Sequence, residues 1–134
     1  MQRPLLVSII LFFLLPSGCT VGPSIHSVRQ VHNPTGVNSE IRYGEHIRGG
    51  ELIAVQEEGI VILSRGNLSV VPFKIIQSAR FSGRGAPRIT SGRRPDKDGF
   101  ERLRQLSRYP HGLSEEVLQR LLDEYDQDEL TVVQ

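Results

Sequence analysis

The chain has 134 residues, of which 38% are apolar, and its 16 Lys and Arg residues nearly balance 15 Asp and Glu residues. This length allows one domain of ordinary size and excludes a multidomain enzyme. The near-neutral charge excludes a uniformly basic nucleic-acid-binding protein, so we expect no nucleic-acid partner. The single cysteine excludes an intramolecular disulfide and a zinc site built from cysteines.

The N-terminal segment has the pattern of an export signal. Arg3 gives it a positive start, and ten of the eleven residues from Leu5 to Leu15 are apolar. As a helix this run would be about 16 Å long, roughly half the hydrocarbon core of a bilayer. A buried core helix is the alternative, but the terminal position and the proline on each side of the run favour export. We therefore predict that residues 1–18 are a signal peptide.

The end of this segment resembles the cleavage region of bacterial lipoprotein signal peptides. It reads Leu14-Leu15-Pro16-Ser17-Gly18-Cys19, with a small residue at each of the two positions before the cysteine. Pro16 stands where that family usually has Leu. An ordinary secretory signal with an incidental cysteine, or an uncleaved N-terminal anchor, is the alternative.

The resemblance implies that Cys19 is acylated, with palmitate among the acyl chains, and that the membrane is a partner through this anchor. A thiol is the nucleophile that accepts a diacylglyceryl group, and the chain contains no other thiol. Two or three acyl chains give a stable anchor, whereas one gives only marginal membrane binding. Thr20 follows the cysteine where, in this family, an Asp would favour inner-membrane retention. The resemblance thus favours an exported cell-envelope protein on the outer membrane, in the periplasm.

Residues 19–36 are predicted to form the lipidated N-terminus and a flexible tether. Gly22-Pro23 and Asn33-Pro34-Thr35-Gly36 are turn or helix-breaking signals. His26 and His32 lie in this stretch six positions apart, without carboxylates close in sequence, so we interpret them as incidental rather than as metal ligands. We expect no metal and no cofactor in this protein.

Residues 37–82 have the pattern of a small β-rich unit. Short runs of β-branched residues separated by turn residues predict strands at residues 52–55, 60–63, 68–71 and 75–81. A further strand is expected upstream, at Val37–Arg42 or near His46-Ile47-Arg48. Ile60–Leu63 has no polar face, so both of its faces must be covered. The unit is predicted to be an antiparallel β meander, or a bent sheet that resembles small barrels of the SH3 or Sm kind.

Charge is divided unevenly along the chain. Residues 65–108 hold 11 Lys and Arg against three acids, whereas residues 110–134 hold one Arg against seven acids. Gly and Pro residues make 83–95 a predicted exposed loop, and Arg suits planar contacts with phosphate or carboxylate. The candidate anion contacts are Arg80, Arg84, Arg88, Arg93 and Arg94. The alternative is a solvated loop whose charges keep the protein soluble or pair with its own acidic residues.

Residues 96–134 are predicted to form an αα-hairpin and a C-terminal tail. Asp96 or Asp98 is placed to cap a helix over Phe100–Arg108, and Ser114 to cap a second helix. The second helix carries an apolar stripe that is the candidate helix interface: Leu118, Leu121, Leu122 and Tyr125. The pair loosely resembles short helical hairpins that drive oligomerisation in some bacterial membrane-associated proteins. The alternative is that the stripe packs on the β unit, and either way the fold class is α+β.

No catalytic constellation has the spacing of a known motif, so we do not expect an enzyme. His46 and His111 have acids nearby without motif spacing, and the one cysteine is expected to be acylated. The leading hypothesis is a lipid-anchored bacterial envelope protein that acts as a non-enzymatic protein-interaction or assembly module, as a homo-oligomer or with a protein partner. The alternative is a binder of anionic lipid or glycolipid headgroups through the Arg80–Arg94 loop.

Overall fold

The described part of the chain forms six strands, then two α-helices and a last short strand. The structure, a computed structural model, describes residues 32–134. The predicted signal peptide, Cys19 and the predicted tether up to residue 31 lie outside the described residues. Within the described part, seven strands form one mixed sheet and two α-helices pack on it, which confirms the predicted α+β class.

Five of the seven strands lie where the sequence pattern predicts them. The strands are β1 (Asn38–Tyr43), β2 (His46–Val55), β3 (Gly59–Ser64), β4 (Asn67–Pro72), β5 (Ser78–Phe81), β6 (Ile89–Thr90) and β7 (Thr131–Val132). The helices are α1 (Lys97–Leu106) and α2 (Glu115–Glu124), and a single 3-10 turn spans Phe73–Ile75. Both upstream candidates are strands: the first is β1, and the second opens the long β2.

The strands are ordered β6-β5-β1-β2-β3-β4-β7 across the sheet. All neighbours are antiparallel except β4 and β7, which are parallel. β5 returns to pair with β1, so that Ile41 lies opposite Ala79. A register shift interrupts the β2–β3 pairing between Leu52 and Ala54. This bulge places an extra residue in β2 and increases the local twist of the sheet.

Two separate apolar clusters are built on these strands. The first cluster consists of Ile41, Tyr43, Leu52, Val55, Ile60, Ile62, Val71, Phe73, Ile76, Ala79, Ile89, Phe100, Leu103 and Val133. The second cluster consists of Ile53, Ala54, Val61, Leu68, Tyr109, Val117, Leu121 and Leu122. Successive residues of β3 alternate between them, which places the clusters on opposite faces of the sheet. Ile60, Val61 and Ile62 are each fully buried, as the absence of a polar face in this strand predicts.

Each helix covers one of the two clusters. α1 is capped by Asp96, whose Oδ1 accepts a hydrogen bond from the Gly99 amide at 2.8 Å, and it contributes Phe100 and Leu103 to the first cluster. α2 is capped by the Ser114 hydroxyl, which accepts from the Val117 amide at 3.3 Å. Its buried side chains all belong to the second cluster. The two helices therefore lie on opposite faces of the central strands.

The edge of the sheet at β4 is closed by a side chain and a short strand. Gln127 Oε1 accepts from the Leu68 amide at 2.6 Å, and Gln127 Nε2 donates to the Leu68 carbonyl at 3.1 Å. The side-chain amide thus pairs with Leu68 as a neighbouring strand would. β7 then pairs with Ser69 and Val70. This cover leaves little of the β4 backbone open to another chain.

Candidate functional site

The chain reaches the domain along the last turn of α1. The Asn33 amide donates to the Arg108 carbonyl at 2.8 Å, and Asn33 Nδ2 donates to the carbonyls of Gln105 and Ser107 at 3.1 and 2.7 Å. The Val37 amide donates to the Leu106 carbonyl at 3.1 Å. Residues 32–37, which we call the lead-in segment, are therefore held on the domain. The predicted tether extends to residue 36, so its last five residues belong to the folded unit.

A half-buried ion pair fastens the lead-in segment to β2. Arg108 Nε donates to Glu51 Oε1 at 2.9 Å, and Arg108 Nη2 donates to Glu51 Oε2 at 2.6 Å. The Gly36 amide donates to the same carboxylate at 2.6 Å, and each charged side chain keeps 17% of its surface exposed. The hydrogen bonds to Glu51 raise the pKa of Arg108 above its ordinary value against the effect of burial, and Tyr125 acts in the same direction. This guanidinium is a structural cation, unavailable to a ligand.

The predicted basic loop is not one continuous exposed segment. β6 divides it, because Ile89 is buried in the first cluster and β6 pairs with β5. Arg80 lies on β5 opposite Glu40 of β1. Arg84 lies in the turn after β5, and the three others flank β6: Arg88 before it, and Arg93 and Arg94 after it. All five arginines are exposed.

Arg94 has contacts that hold it against the domain. Its Nη1 lies 2.5 Å from Glu57 Oε2, and its guanidinium carbon lies 4.1 Å from the centre of the Phe100 ring. A cation over an aromatic face adds a modest attraction and shields the ring from water. Arg94 therefore links the β2–β3 turn to α1. Within residues 32–134, it is the one of the five predicted anion contacts that forms an ion pair.

A shallow cleft is lined by Arg84 and by Arg102, which was not among the predicted anion contacts. Arg84, Gly85, Arg102, Gln105 and Leu106 line this cleft of about 220 Å³ between the turn after β5 and the outer side of α1. Neither arginine forms an ion pair among the described residues, where the pairs are Glu57–Arg94, Glu101–Arg104 and Glu51–Arg108. Two exposed guanidinium groups beside one cleft are suited to bind a phosphate or carboxylate group.

Arg102 could not have been found from the loop alone. It lies on α1 next to the buried Leu103, and helical periodicity assigns it only to a solvent-exposed side. The fold brings it beside Arg84, because Leu106 of α1 packs at Gly83 in the turn after β5. A Cβ on Gly83 would lie 3.2 Å from Leu106 Cδ2, so the two segments are in close contact.

The predicted helix interface is covered within the chain. Leu121 and Leu122 are 1% and 4% exposed in the second cluster, and Leu118 and Tyr125 pack against that cluster while remaining partly exposed. The apolar stripe of α2 thus packs on the sheet, which is the alternative that the sequence left open. A partner that used the whole stripe would first have to displace α2 from the sheet.

A second depression lies at the turns between β1 and β2 and between β3 and β4. It has a volume of about 810 Å³ and is wide open, with Tyr43, His46, Arg48 and Ser64 in its lining. Arg48 Nη1 donates to Ser69 Oγ at 2.9 Å, so this arginine has a protein partner. Ile47, which also lines the depression, has 57% of its surface exposed.

Within residues 32–134, no group of three or more His, Cys, Asp or Glu side chains could hold a metal ion. In the same part of the chain, no helix is both long enough and apolar enough to cross a bilayer. No family model, no curated protein and no solved structure matches this chain.

Proposed function

We propose that this chain is a lipid-anchored protein of the bacterial cell envelope whose domain is a non-enzymatic interaction or assembly module. The observation that carries the proposal is the leader: the apolar run Leu5–Leu15 followed by Ser17-Gly18-Cys19. The run has the length of an export signal, and four residues after it lies Cys19, whose thiol is the one in the chain able to accept a diacylglyceryl group. The outer membrane is the proposed location, because Thr20 replaces the Asp that favours inner-membrane retention.

A strongly bent sheet of the SH3 or Sm kind is the proposed form of the β unit. The order β5-β1-β2-β3-β4 supports it, since the fifth strand returns to the first and a 3-10 turn separates β4 from β5. The bulge in β2 and the length of that strand favour strong curvature. The αα-hairpin stays a prediction: eight residues, 107–114, join the two helices, whose buried side chains lie in different clusters.

The exposed side of α2 is the surface we propose for assembly through the C-terminal helices. Glu116, Gln119, Asp123 and Glu124 are exposed there, while the apolar stripe faces the sheet. A polar surface of this kind suits a reversible contact with a charged partner better than an obligate apolar interface. Sedimentation velocity of the purified chain tests the homo-oligomeric form. We expect association that the replacement Asp123→Lys weakens, and a monomer at all concentrations would contradict it.

Labelling with palmitate in a bacterial host tests the anchor. We expect label in the wild-type chain and none in the Cys19→Ala variant, because no other thiol is present. Thr20→Ala is the matched control, since it changes the neighbouring residue and keeps the thiol. An unlabelled wild-type chain, or a label that survives Cys19→Ala, would refute the proposal.

A further inference from the structure

The cleft between Arg84 and Arg102 has a positive charge that the described residues do not neutralise. Both arginines are exposed, and neither lies within ion-pairing distance of an acid in residues 32–134. Asp98 precedes Arg102 by four positions on α1, a spacing that allows a pair, yet none forms there. By contrast, Arg94, Arg104 and Arg108 are each held by a glutamate. The cleft therefore combines two cations that form no ion pair within the described part of the chain.

The cleft lies beside the point where the chain joins the domain. Gln105 and Leu106 line the cleft through α1. The backbone carbonyls of the same two residues accept hydrogen bonds from Asn33 and Val37 of the lead-in segment. The proposed anchor and the two free arginines thus belong to one side of the domain.

The average reach of the predicted tether is shorter than the diameter of the domain. Twelve residues separate Cys19 from His32, the first described residue. As the flexible tether that the sequence predicts, twelve residues would have a root-mean-square reach of about 20 Å. A domain of about 100 residues has a radius of gyration near 13 Å, hence a diameter of roughly 30 Å. A chain acylated at Cys19 therefore holds the side that carries the lead-in segment close to the headgroups.

Charge on the opposite face of the sheet favours the same orientation. α2 and the residues after it carry seven acids, all of them exposed: Glu115, Glu116, Asp123, Glu124, Asp126, Asp128 and Glu129. α2 covers the second cluster, whereas α1, with Arg102, covers the first. An anionic surface attracts the α1 side and repels the α2 side, so the domain is oriented by its own charge distribution.

We propose that the Arg84–Arg102 cleft binds the phosphate group of anionic lipid headgroups and holds the α1 side of the domain against the membrane. This inference rests on the proposed lipid anchor. The shared chemistry is that of a phosphate monoanion between two guanidinium groups, with Gln105 as a further polar neighbour. A soluble phosphate offers the same chemistry, and the experiment separates these two sources.

Arginine modification on the full-length, membrane-extracted protein tests the proposal. The protein is reconstituted in vesicles of phosphatidylcholine alone or of phosphatidylcholine mixed with phosphatidylglycerol, treated with phenylglyoxal, and mapped by mass spectrometry. We expect the anionic lipid to slow modification of Arg84 and Arg102 about fivefold each, which corresponds to the ~1 kcal/mol typical of a basic residue near an anionic surface. Arg65 and Arg120, exposed on the β3–β4 turn and on α2, should be modified at the same rate in both vesicles.

A charge variant shows whether the cleft itself is responsible. Gln105→Glu places a carboxylate between the two arginines at an exposed helical position and should abolish their protection. Gln119→Glu is the matched control, because it adds the same charge at an exposed position of α2 and should leave the protection unchanged. Equal slowing of all four mapped arginines, or protection that survives Gln105→Glu, would overturn the cleft as the site.

The remaining outcomes separate the two proposals and the two phosphate sources. Inorganic phosphate, added to neutral vesicles at matched ionic strength, should protect far less than the anionic lipid, and equal protection would overturn the headgroup assignment. The acyl chains are read from the N-terminal peptide in the same spectra. An acylated chain without selective protection refutes the cleft alone, whereas a chain without acyl groups refutes the proposed function and, with it, this inference.

Discussion

Replacing Arg108 with Met removes the guanidinium that holds Glu51 and keeps most of the aliphatic stem. In the variant, the Glu51 carboxylate retains the hydrogen bond from the Gly36 amide and loses both bonds from Arg108. Only 17% of the Glu51 side chain is exposed, so water can hydrate the remaining negative charge only in part. We therefore expect the variant to fold less stably because an uncompensated charge remains half buried.

Two physical arguments give a similar value for the decrease in the free energy of unfolding. Removing one partner of a buried pair typically costs about 3–5 kcal/mol, and the residual exposure here places the value at the lower end. Two hydrogen bonds to a charged group are each worth roughly 1.5–3 kcal/mol. We expect the free energy of unfolding to fall by about 3 kcal/mol, a large part of the total for a domain of this size.

Urea denaturation followed by circular dichroism measures this change. Glu101→Gln is the matched control, because it removes the exposed Glu101–Arg104 pair, whose atoms are 3.4 Å apart, and should change the free energy by less than about 1 kcal/mol. The double variant Glu51→Leu with Arg108→Met removes both charges and should recover part of the loss. A loss below about 1 kcal/mol in Arg108→Met, or no recovery in the double variant, would refute the reasoning.

The pKa of Arg108 also predicts how this contribution depends on pH. The pKa of Arg108 is higher in the folded state than in the unfolded state. The stabilisation from the charged guanidinium is therefore fully present below the ordinary arginine pKa and is lost only as the pH rises through the higher folded-state pKa. That range lies beyond the conditions in which proteins are studied. Between about pH 6 and 9, the difference between wild type and Arg108→Met should therefore stay constant, and a difference that shrinks across this range would contradict the assignment.

Three further tests, one of them with a control substitution, concern the packing. Gly36→Ala places a Cβ 1.9 Å from the Leu52 carbonyl oxygen and should cost about 3 kcal/mol in urea denaturation, whereas Gly49→Ala, with no atom closer than 3.7 Å, should cost less than about 1 kcal/mol. Leu121→Ala should lower the free energy of unfolding by about 2–5 kcal/mol, and an unchanged melting temperature would show that α2 does not cover the second cluster. Gln127→Ala should speed hydrogen exchange at the Leu68 amide, and unaltered exchange would mean that this side chain does not close the edge.

Local patterns predicted the elements that carry strong periodicity or a cap. Apolar runs predicted β2 to β5. Capping side chains predicted one helix start at Asp96 or Asp98 and another at Ser114, and the observed caps are Asp96 and Ser114. β6 and β7 have only two residues each, so they show no period and form because tertiary contacts hold them. Tertiary contacts also decide that α1 covers the first cluster and α2 the second. This arrangement depends on the bulge in β2 and on the strand order, and neither helix sequence encodes it alone.

The candidate site was predictable only in part, for a similar reason. Arg84 follows from composition, because Gly and Pro mark an exposed basic loop. Arg102 lies in the same cleft because two segments distant in sequence are in contact there. Arg94 is not a candidate anion contact, because Glu57 and Phe100 already hold its guanidinium group. Asn33 and Gly36 carry turn signals that also suit a tether, and their partners on Arg108 and Glu51 lie far along the chain. Local signals report how the backbone bends and not what it contacts.

The intact mass of the protein extracted from bacterial membranes tests the central claim most directly. The account predicts a mature chain that begins at Cys19, lacks residues 1–18 and carries the added mass of a diacylglyceryl group on the thiol. A chain that keeps its first 18 residues, begins at another position, or ends its processing with a free thiol at Cys19 would contradict it.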